Sequence, residues 1–592
     1  LLHYMLLASA AFAIHLAVSV YRRHAVSARV VAGRMGLALA AVAIGLAIGA
    51  IQYLPVREYV AFSPRAGGLA DYATAVSYGW PAKELFDAYL PQFTGMIEAY
   101  WGANAIHLHS DYVGAVVLLL AGAAFAGLRT DPRRGFIQFW TVTLVIALLW
   151  AMGGDTPFYR IPYAIVPGTK YFRAPATVFF VGSLALAVLA STGAERLLTR
   201  SLNPRYALGW LAFAAVVVTL AVTGILNDFA QALAPGELVD AVISNSGQVT
   251  YGAWRSFAFV LAVVVLALLY RRGRVPLAAA GPIVALLVAA DGWSIMRQYW
   301  MFSEPAPVVY RTDEAIDRVT ADPEPSRVLA VELENNPRRD TNLQGDGLMI
   351  HRVRAVLGYH GNQLGRYNTL LQKDEGFQQA FNPRIWQLLN VRYLMTNTAD
   401  VSMFFPGAQW VIGPVENAAG TKVYLYRLPG ENPYAWVTPV LVKADDDAVL
   451  ATLFNEAFDV RRAALFGPEA EVSGADTLSM LPLPVETSVR VTRYEAGRVS
   501  MELSEPAPAG SALVVSENFY PGWHATVDGR TAPVGRVDFT LTGVQLPAGG
   551  RRVELWFDSP VYHRGKMITL FALALAAGLI LAGIVMERKS ID

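Results

Sequence analysis

The stretch GTKYFRAPATVFF, residues 168 to 180, places two cations directly before an apolar run. Lys170 and Arg173 stand three residues apart, next to Tyr171 and Phe172. An arginine can hold two phosphate oxygens at once, and a lysine supplies a compact point charge. Both residues are therefore candidates for binding the phosphate of a lipid-linked ligand. The alternative is interfacial anchoring, because long cationic side chains extend from a membrane helix into the headgroup region.

A second group of candidates lies in the long segment 55 to 111. Asp71, Glu84 and Asp87 are acids that could accept the proton of an attacking hydroxyl group. The alternative for each is a solvated surface charge, since exposed acids are common. Arg65, in FSPRAGG, is either a further phosphate contact or an ordinary loop charge.

The motif HLHSDY spaces His107, His109 and Asp111 at alternate positions. A strand would direct all three side chains to the same side. Imidazole and carboxylate groups bind divalent metals, so the spacing permits a metal site, although the motif supplies no fourth ligand.

Three aromatic residues are candidates for stacking on a sugar ring: Tyr100, Trp101 and Trp523. Tyr100 and Trp101 stand before an apolar run and also fit the aromatic belt of a membrane interface. Trp523, in NFYPGWHATVDG, would alternatively fill the core of a β-sandwich.

Composition predicts an integral membrane protein. Of 592 residues, 54% are hydrophobic and 16% are charged, which departs from the balance of soluble proteins. The net charge of +1 and the absence of a nucleic-acid-binding motif argue against a nucleic-acid partner. The sequence has no cysteine, which excludes disulfides and thiolate chemistry, and it carries no Walker, G-x-S-x-G or H-E-x-x-H motif.

Nine apolar runs are close to the length that crosses a hydrocarbon layer of about 30 Å. They cover residues 1–20, 35–54, 112–128, 136–152, 174–194, 207–226, 254–270, 276–293 and 567–586. Every odd-numbered run is followed by a cluster of basic residues, which predicts a cytoplasmic loop there. Segments 55–111, 153–173, 227–253 and 294–566 are then external. Lys170 and Arg173 are therefore predicted to lie on the external side, whereas the basic clusters of this sequence mark the cytoplasmic loops.

The predicted organisation has four parts. Residues 1–293 form a membrane domain with eight spans and the external loop 55–111, and residues 567–592 form the last span and a cytoplasmic tail. Between them, 294–483 mixes helix and strand patterns and predicts an external α/β domain. Residues 484–566 alternate like strands, with a turn at Asp528-Gly529, and predict an external β-sandwich. The chain opens inside an apolar run, so earlier membrane segments are expected to precede it.

Several segments resemble one family. SENFYPGWHATVDGRTAPVGRVDFTLTGVQLPAGGRRVELWFDS, followed by a terminal membrane helix, is similar to the C-terminal region of the bacterial membrane protein YfhO family. KYFRAPATVFFVGSLALAVLASTGAERL, NPRIWQLLNVRYLMT and YWGANAIHLHSDYVGAVVLLL also look like that family's pattern. Together these segments cover most of the chain.

The resemblance implies a polytopic α-helical membrane fold similar to the GT-C glycosyltransferases. Such enzymes transfer a sugar from a polyprenyl-phosphate carrier outside the bacterial cytoplasmic membrane, and family members are linked to glycosylation of cell-envelope polymers such as teichoic acids. Some GT-C enzymes use a divalent metal. Their catalytic acid lies on the first external loop, which is expected to precede this sequence. The alternative function is a non-catalytic scaffold or lipid-carrier handling protein whose sandwich binds envelope polymer.

Overall fold

The computed structural model describes residues 2–24, 27–66, 71–103, 110–336, 340–358, 363–475 and 480–591. The chain divides into two compact units. The first contains Leu1–Ala43 and Gly67–Phe302, and the second contains Ile44–Ala66 and Ser303–Asp592. The predicted membrane domain 1–293 is therefore not one unit, because residues 44–66 belong with the C-terminal part of the chain.

Twelve α-helices precede residue 297 in the described part of the chain. In order they are α1 (Leu2–His24), α2 (Ala28–Ile48), α3 (Ala50–Val60), α4 (Tyr72–Val76), α5 (Ala115–Ala123), α6 (Arg134–Ala151), α7 (Arg160–Ile165), α8 (Phe179–Leu198), α9 (Pro204–Val222), α10 (Ile225–Leu233), α11 (Val239–Arg271) and α12 (Leu277–Met296).

Seven helices in the described part of the chain are long and apolar enough to cross a membrane. They are Ala28–Ile48, Arg134–Ala151, Pro175–Leu198, Pro204–Val222, Gly236–Arg271, Leu277–Tyr299 and Pro560–Met586, and Ala8–Tyr21 is a shorter apolar helix. Many of their apolar side chains are exposed, as on Leu37 and Leu286, which suits contact with lipid rather than water. The chain is a multi-pass membrane protein with β-sheet domains.

The predicted span 112–128 is wrong in length. Its helix, α5, has only nine residues and begins after Gly114, whose φ of 112° leaves the helical region. Val116, Leu119 and Leu120 are 0–2% exposed, so α5 is apolar because it packs inside the first unit. Gly193 on α8 permits this packing because it has no side chain. A Cβ atom at this position would lie only 1.8 Å from the Leu120 carbonyl oxygen.

The second unit contains the remaining helices and all the strands of the described residues. The helices are α13 (Ala306–Val309), α14 (Glu314–Thr320), α15 (Thr341–Gln344), α16 (Gly365–Leu370), α17 (Pro383–Leu388), α18 (Asp446–Leu453) and α19 (Pro560–Ile591). The strands are β1 (Arg327–Ala330), β2 (Arg354–Ala355), β3 (Val391–Thr396), β4 (Gln409–Glu416), β5 (Lys422–Arg427), β6 (Ala435–Thr438), β7 (Leu441–Lys443), β8 (Ala464–Phe466), β9 (Val489–Glu495), β10 (Arg498–Leu503), β11 (Ala512–Asn518), β12 (Trp523–Val527), β13 (Arg530–Ala532), β14 (Val534–Val537), β15 (Leu541–Gln545) and β16 (Arg552–Phe557).

The first sheet has the order β2-β1-β3-β5-β4, with β1, β2 and β3 parallel. Its two faces pack against different helices. Ile316 of α14 belongs to the cluster that contains Val328, and Trp386 of α17 belongs to the cluster that contains Leu329. Alternate residues of β1 thus enter two cores, which is the arrangement of an α/β layer.

The other two sheets form a β-sandwich. One has the order β6-β11-β15-β14-β8-β7 and the other β13-β12-β16-β10-β9. Leu513 of the first sheet and Leu555 of the second share one buried core. Because β6 pairs with β11, the predicted boundary at 484 divides a sheet whose strands come from both sides of it. The predicted turn at Asp528-Gly529 is confirmed by φ values of 50° and 77°.

The α3 helix packs against α19 within the second unit. The Ile51 amide donates to Thr569 Oγ1 at 3.0 Å. Gly565 allows the close approach, since a Cβ there would lie 2.7 Å from the Ala50 carbonyl oxygen. These contacts place residues 44–66 in the C-terminal unit.

Candidate functional site

A cavity of about 1190 Å³ lies within the first unit, and we call it the α8 groove. Residues of α5, α8 and α12 line its length, and residues 78–80, 110–113, 173–174 and 176–177 complete it. Leu198 and Gly281 meet at one end, with a Gly281 Cβ position 4.0 Å from Leu198 Cδ1. The groove therefore extends along α8, whose 20 residues correspond to about 30 Å at 1.5 Å per residue.

The walls of the groove are apolar along the helices. Leu186, Ala190 and Ala194 contribute from α8, and Val284 and Val288 contribute from α12. Such walls exclude water and suit a hydrocarbon ligand, because burial of apolar surface stabilises binding by about 25 cal/mol per Å².

Arg173 lies at the opposite end of the groove from Leu198. Its guanidinium group is 5.0 Å from the centre of the Tyr78 ring. The segment is fixed by backbone bonds, since the Tyr78 amide donates to the Arg173 carbonyl at 3.2 Å and the Ala176 amide donates to the Tyr78 carbonyl at 3.4 Å. The guanidinium remains exposed, and the described residues give it no carboxylate partner.

Asp111 and Tyr112 line the groove near a buried ion pair. Arg255 Nη2 lies 2.9 Å from Asp291 Oδ1, and the two side chains are 6% and 0% exposed. Tyr112 donates its hydroxyl hydrogen to Asp291 Oδ1 at 2.6 Å, and Arg255 Nη1 donates to the Tyr112 oxygen at 3.0 Å. Asp291 Oδ2 accepts from the Val116 amide at 2.9 Å. This network fixes Tyr112 and the start of α5.

Sequence reasoning missed Arg255 and Asp291, although both stand in the apolar runs 254–270 and 276–293. A charge inside such a run is costly unless it is paired. Each charged residue is therefore recognisable in the sequence as one that needs a partner. The pairing of Arg255 with Asp291 is not, because it depends on how α11 packs against α12.

Asp71 caps a helix in the structure. Its Oδ1 accepts from the Thr74 amide at 2.7 Å at the start of α4. This bond lowers the pKa of the exposed Asp71 carboxyl group. Asp71 does not line the α8 groove.

Glu84 and Asp87 are buried, so the solvated-charge alternative is wrong for both. Glu84 is 0% exposed and accepts from the Tyr100 hydroxyl at 2.7 Å and the Ala103 amide at 2.8 Å. Burial raises its pKa. Asp87 is 4% exposed and accepts from Thr94 Oγ1 at 2.5 Å and the Thr94 amide at 3.2 Å. Burial raises the pKa of Asp87 to about 8. Neither residue lines the groove.

The aromatic candidates are engaged in packing. Trp101 is 0% exposed and donates through Nε1 to the Phe93 carbonyl at 3.1 Å, so no ring face is open to a sugar and the stacking prediction fails there. The Tyr100 hydroxyl is bound to Glu84. Trp523 is half-buried, packs against the sandwich core and donates to the Asn518 carbonyl at 3.2 Å, which agrees with the core alternative.

The remaining candidates are dispersed. Lys170 is exposed in the turn 169–171 and does not line the groove. Arg65 is half-buried and belongs to the second unit, so it is not in the unit that holds Arg173. His107 and His109 lie outside the described residues, and among the residues that are described no three His, Asp or Glu side chains are arranged to hold a metal.

The fold and groove define a multi-pass membrane protein with a lipid-compatible cavity and β-sheet domains. No known family model matches the chain, and no curated protein matches it. Among solved structures, the arabinofuranosyltransferase AftD from mycobacteria aligns with 87% of this chain and 51% of its own, at 13% identity and a TM-score of 0.22. A structure of a mutant of the same enzyme aligns with 88% of this chain and 53% of its own, at 12% identity and a TM-score of 0.22. The chain spans about half the length of AftD.

Proposed function

We propose that this protein is a membrane glycosyltransferase of GT-C-like architecture. It would transfer a sugar from a polyprenyl-phosphate carrier to a cell-envelope polymer on the external face of the bacterial cytoplasmic membrane. The observation that carries the proposal is the α8 groove, which combines apolar walls over the length of a helix with Arg173 and Asp111 among the lining residues.

The groove matches the two parts of such a carrier. A polyprenyl chain is purely apolar and fits the walls formed by α5, α8 and α12. The carrier phosphate would lie beside Arg173, whose planar guanidinium can donate two parallel hydrogen bonds to it. Lys170, three residues earlier and exposed, would add positive potential on the same segment.

The chemistry is a displacement at the anomeric carbon. A hydroxyl oxygen of the acceptor forms the new bond, the bond between carbon and the carrier phosphate oxygen breaks, and the phosphate leaves with the electron pair. The hydroxyl proton passes to a carboxylate. Asp111 lines the groove and is our candidate for this base, while Arg173 stabilises the charge that develops on the leaving phosphate.

One observation favours the alternative of a non-catalytic protein that handles a lipid carrier. Asp71 caps α4, and Glu84 and Asp87 are buried and hydrogen-bonded. Of the described residues that line the groove, Asp111 is the only acid. A carrier-binding protein needs the groove and Arg173 but no base, so binding without transfer would identify this alternative.

The experiment measures binding and transfer separately. Purified protein in nanodiscs is incubated with labelled polyprenyl-phosphate sugars and envelope polymer, and retained carrier and labelled polymer are both counted. We expect Asp111→Asn to abolish transfer and retain binding, and Arg173→Gln to weaken binding at least about tenfold, or about 1.4 kcal/mol.

Matched controls are available in the first unit. Arg160 also faces a tyrosine ring, Tyr72 at 5.9 Å, but does not line the groove, so Arg160→Gln should leave binding unchanged. Asp240 is exposed and lies far from Asp111 in the sequence, so Asp240→Asn should leave transfer unchanged. Wild-type protein that binds no carrier would exclude both functions, and carrier binding without any transfer would exclude the enzyme.

A further inference from the structure

A second cavity, of about 570 Å³, lies within the second unit beside the first residues of β1 and β2. We call it the arginine pocket because Arg327, Arg352 and Arg354 all line it. Asp346 and Tyr367 are among its other polar residues. Its volume is within the range of sites that bind small molecules.

The arginine pocket carries more positive than negative charge. Glu517 is shared by two arginines, with its Oε1 2.7 Å from Arg354 Nη2 and its Oε2 3.6 Å from Arg327 Nη2. Asp346 is the only acid among the described residues that line the cavity. Among the described residues, three guanidinium groups therefore face two carboxylates, an excess of one positive charge.

Two of these guanidinium groups are held in place away from water. The Arg327 and Arg354 side chains are 9% and 17% exposed. Arg327 Nη1 donates to the Leu389 carbonyl and to Ser516 Oγ, both at 2.8 Å. Arg354 lies 5.3 Å from the ring centres of Tyr434 and Tyr494, and its buried Nη1 finds no acceptor in the described part of the chain. Burial and the neighbouring Arg354 lower the pKa of Arg327. Clustered cations in such a site are stabilised by an anion.

Arg352 is the exposed member of the group. It ends the turn Gly347–His351 in the left-handed conformation, with φ 58° and ψ 23°. Residues other than glycine, asparagine and aspartate seldom adopt this conformation, and such strain concentrates where ligands bind. Its guanidinium forms no ion pair within the described residues, so it is available at the rim of the cavity.

We propose that the arginine pocket binds an oxyanion, either a phosphate or a carboxylate group. The guanidinium fork matches both groups geometrically, and a single anion balances the excess charge. The anion can come from a soluble phosphorylated or acidic sugar or from a lipid headgroup. The proposal does not depend on the glycosyltransferase function, because none of its residues lies in the unit that contains the α8 groove.

The test uses the full chain in nanodiscs. One arm titrates glycerol 3-phosphate and glucuronate into phosphatidylcholine nanodiscs and measures binding by calorimetry. The other arm compares the thermal stability of the protein in phosphatidylcholine nanodiscs with and without phosphatidic acid. Binding in the first arm identifies a soluble source, and stabilisation in the second arm alone identifies a lipid source.

The deciding variant is Arg352→Gln, because Arg352 is exposed and its replacement should leave the fold intact. We expect it to weaken whichever response is observed at least tenfold. Arg530→Gln is the matched control, since Arg530 is exposed on β13 and does not line the pocket. If Arg352→Gln lowers the thermal stability of the protein without ligand, Arg354→Lys is used as the test variant instead. This substitution keeps the positive charge and removes the forked guanidinium group that binds two oxygens. No saturable response from wild-type protein in either arm, or an equal response from Arg352→Gln and Arg530→Gln, would overturn the proposal.

Discussion

Arg255 and Asp291 form a buried ion pair, 2.9 Å between Nη2 and Oδ1, that joins two membrane helices and holds Tyr112 beside the α8 groove. The two residues are 36 positions apart in the sequence. The Asp291 carboxylate also accepts hydrogen bonds from the Val116 amide and the Tyr112 hydroxyl, and Arg255 Nε donates to Ser294 Oγ. A satisfied charge network of this kind contributes most to structure by determining which helices meet.

Removal of one partner of this pair should destabilise the first unit strongly. Arg255→Met leaves the Asp291 charge buried without its counter-charge, which costs about 3–5 kcal/mol. Thermal unfolding in nanodiscs measures the effect. The double variant Arg255→Met with Asp291→Leu should be more stable than Arg255→Met alone, because no buried charge remains. Equal stability of the single and double variants would contradict this account.

The close contact between α5 and α8 predicts opposite outcomes at two glycines. Gly193→Ala places a methyl group against the Leu120 carbonyl and should destabilise the protein by about 1–3 kcal/mol. Gly209, on α9, has no atom within 4 Å of a Cβ position, so Gly209→Ala should be neutral or stabilising by up to about 1 kcal/mol. Both changes are checked by denaturation of the two variants under the same conditions.

Asp87 predicts that stability falls as the pH rises. Its pKa is about 8 in the folded chain and 3.8 in the reference state, so the folded state retains a proton that the unfolded state has lost. The stabilisation is complete below about pH 4 and disappears as the pH rises through about 8, with a total of at most about 6 kcal/mol. Glu84 and Asp111 act in the same direction, since their charges raise the Asp87 pKa further.

Asp87→Asn should remove that part of the pH dependence. Comparison of unfolding temperatures between pH 5 and pH 9 for wild type and variant isolates the contribution of Asp87 from that of Asp538, whose pKa burial also raises, to about 7. If the unfolding temperatures of wild type and Asp87→Asn changed with pH in parallel, Asp87 would be ionised in the folded state.

The groove predicts a size-dependent effect on carrier binding. Ala187 is an exposed α8 residue that lines the groove, and Ala187→Phe should reduce carrier binding at least about tenfold by filling it. Leu184 is 50% exposed on the same helix but does not line the groove. Leu184→Phe should therefore leave binding unchanged, and a loss of binding in both variants would argue against the groove as the carrier site.

Apolar runs predicted most of the membrane helices, because a lipid-facing helix needs continuous apolar composition. The run 112–128 shows the limit of that signal, since Val116 and Leu120 are apolar for burial against α8 rather than for lipid. Composition alone does not distinguish the two environments.

The candidate site was predicted only in part. Arg173 and Asp111 both line the groove, whereas Glu84 and Asp87 proved to be buried, and Trp101 is a core residue. Local patterns identify a residue's chemistry but not its partners. The ion pair of Arg255 with Asp291 and the grouping of Arg327 with Arg354 arise from chain segments that only tertiary packing brings together.

The contact between α3 and α19 has a consequence for biosynthesis. The Ile51 amide and Thr569 Oγ1 are 518 residues apart in the sequence. At a translation rate of about 5–20 residues per second, roughly half a minute to two minutes separates their synthesis. Throughout that interval α3 has been made but its helical neighbour has not, so the packing of α3 against α19 forms only after α19 has been synthesised. Until α19 is made, the face of α3 around Ala50 and Ile51 therefore lacks the helix that covers it.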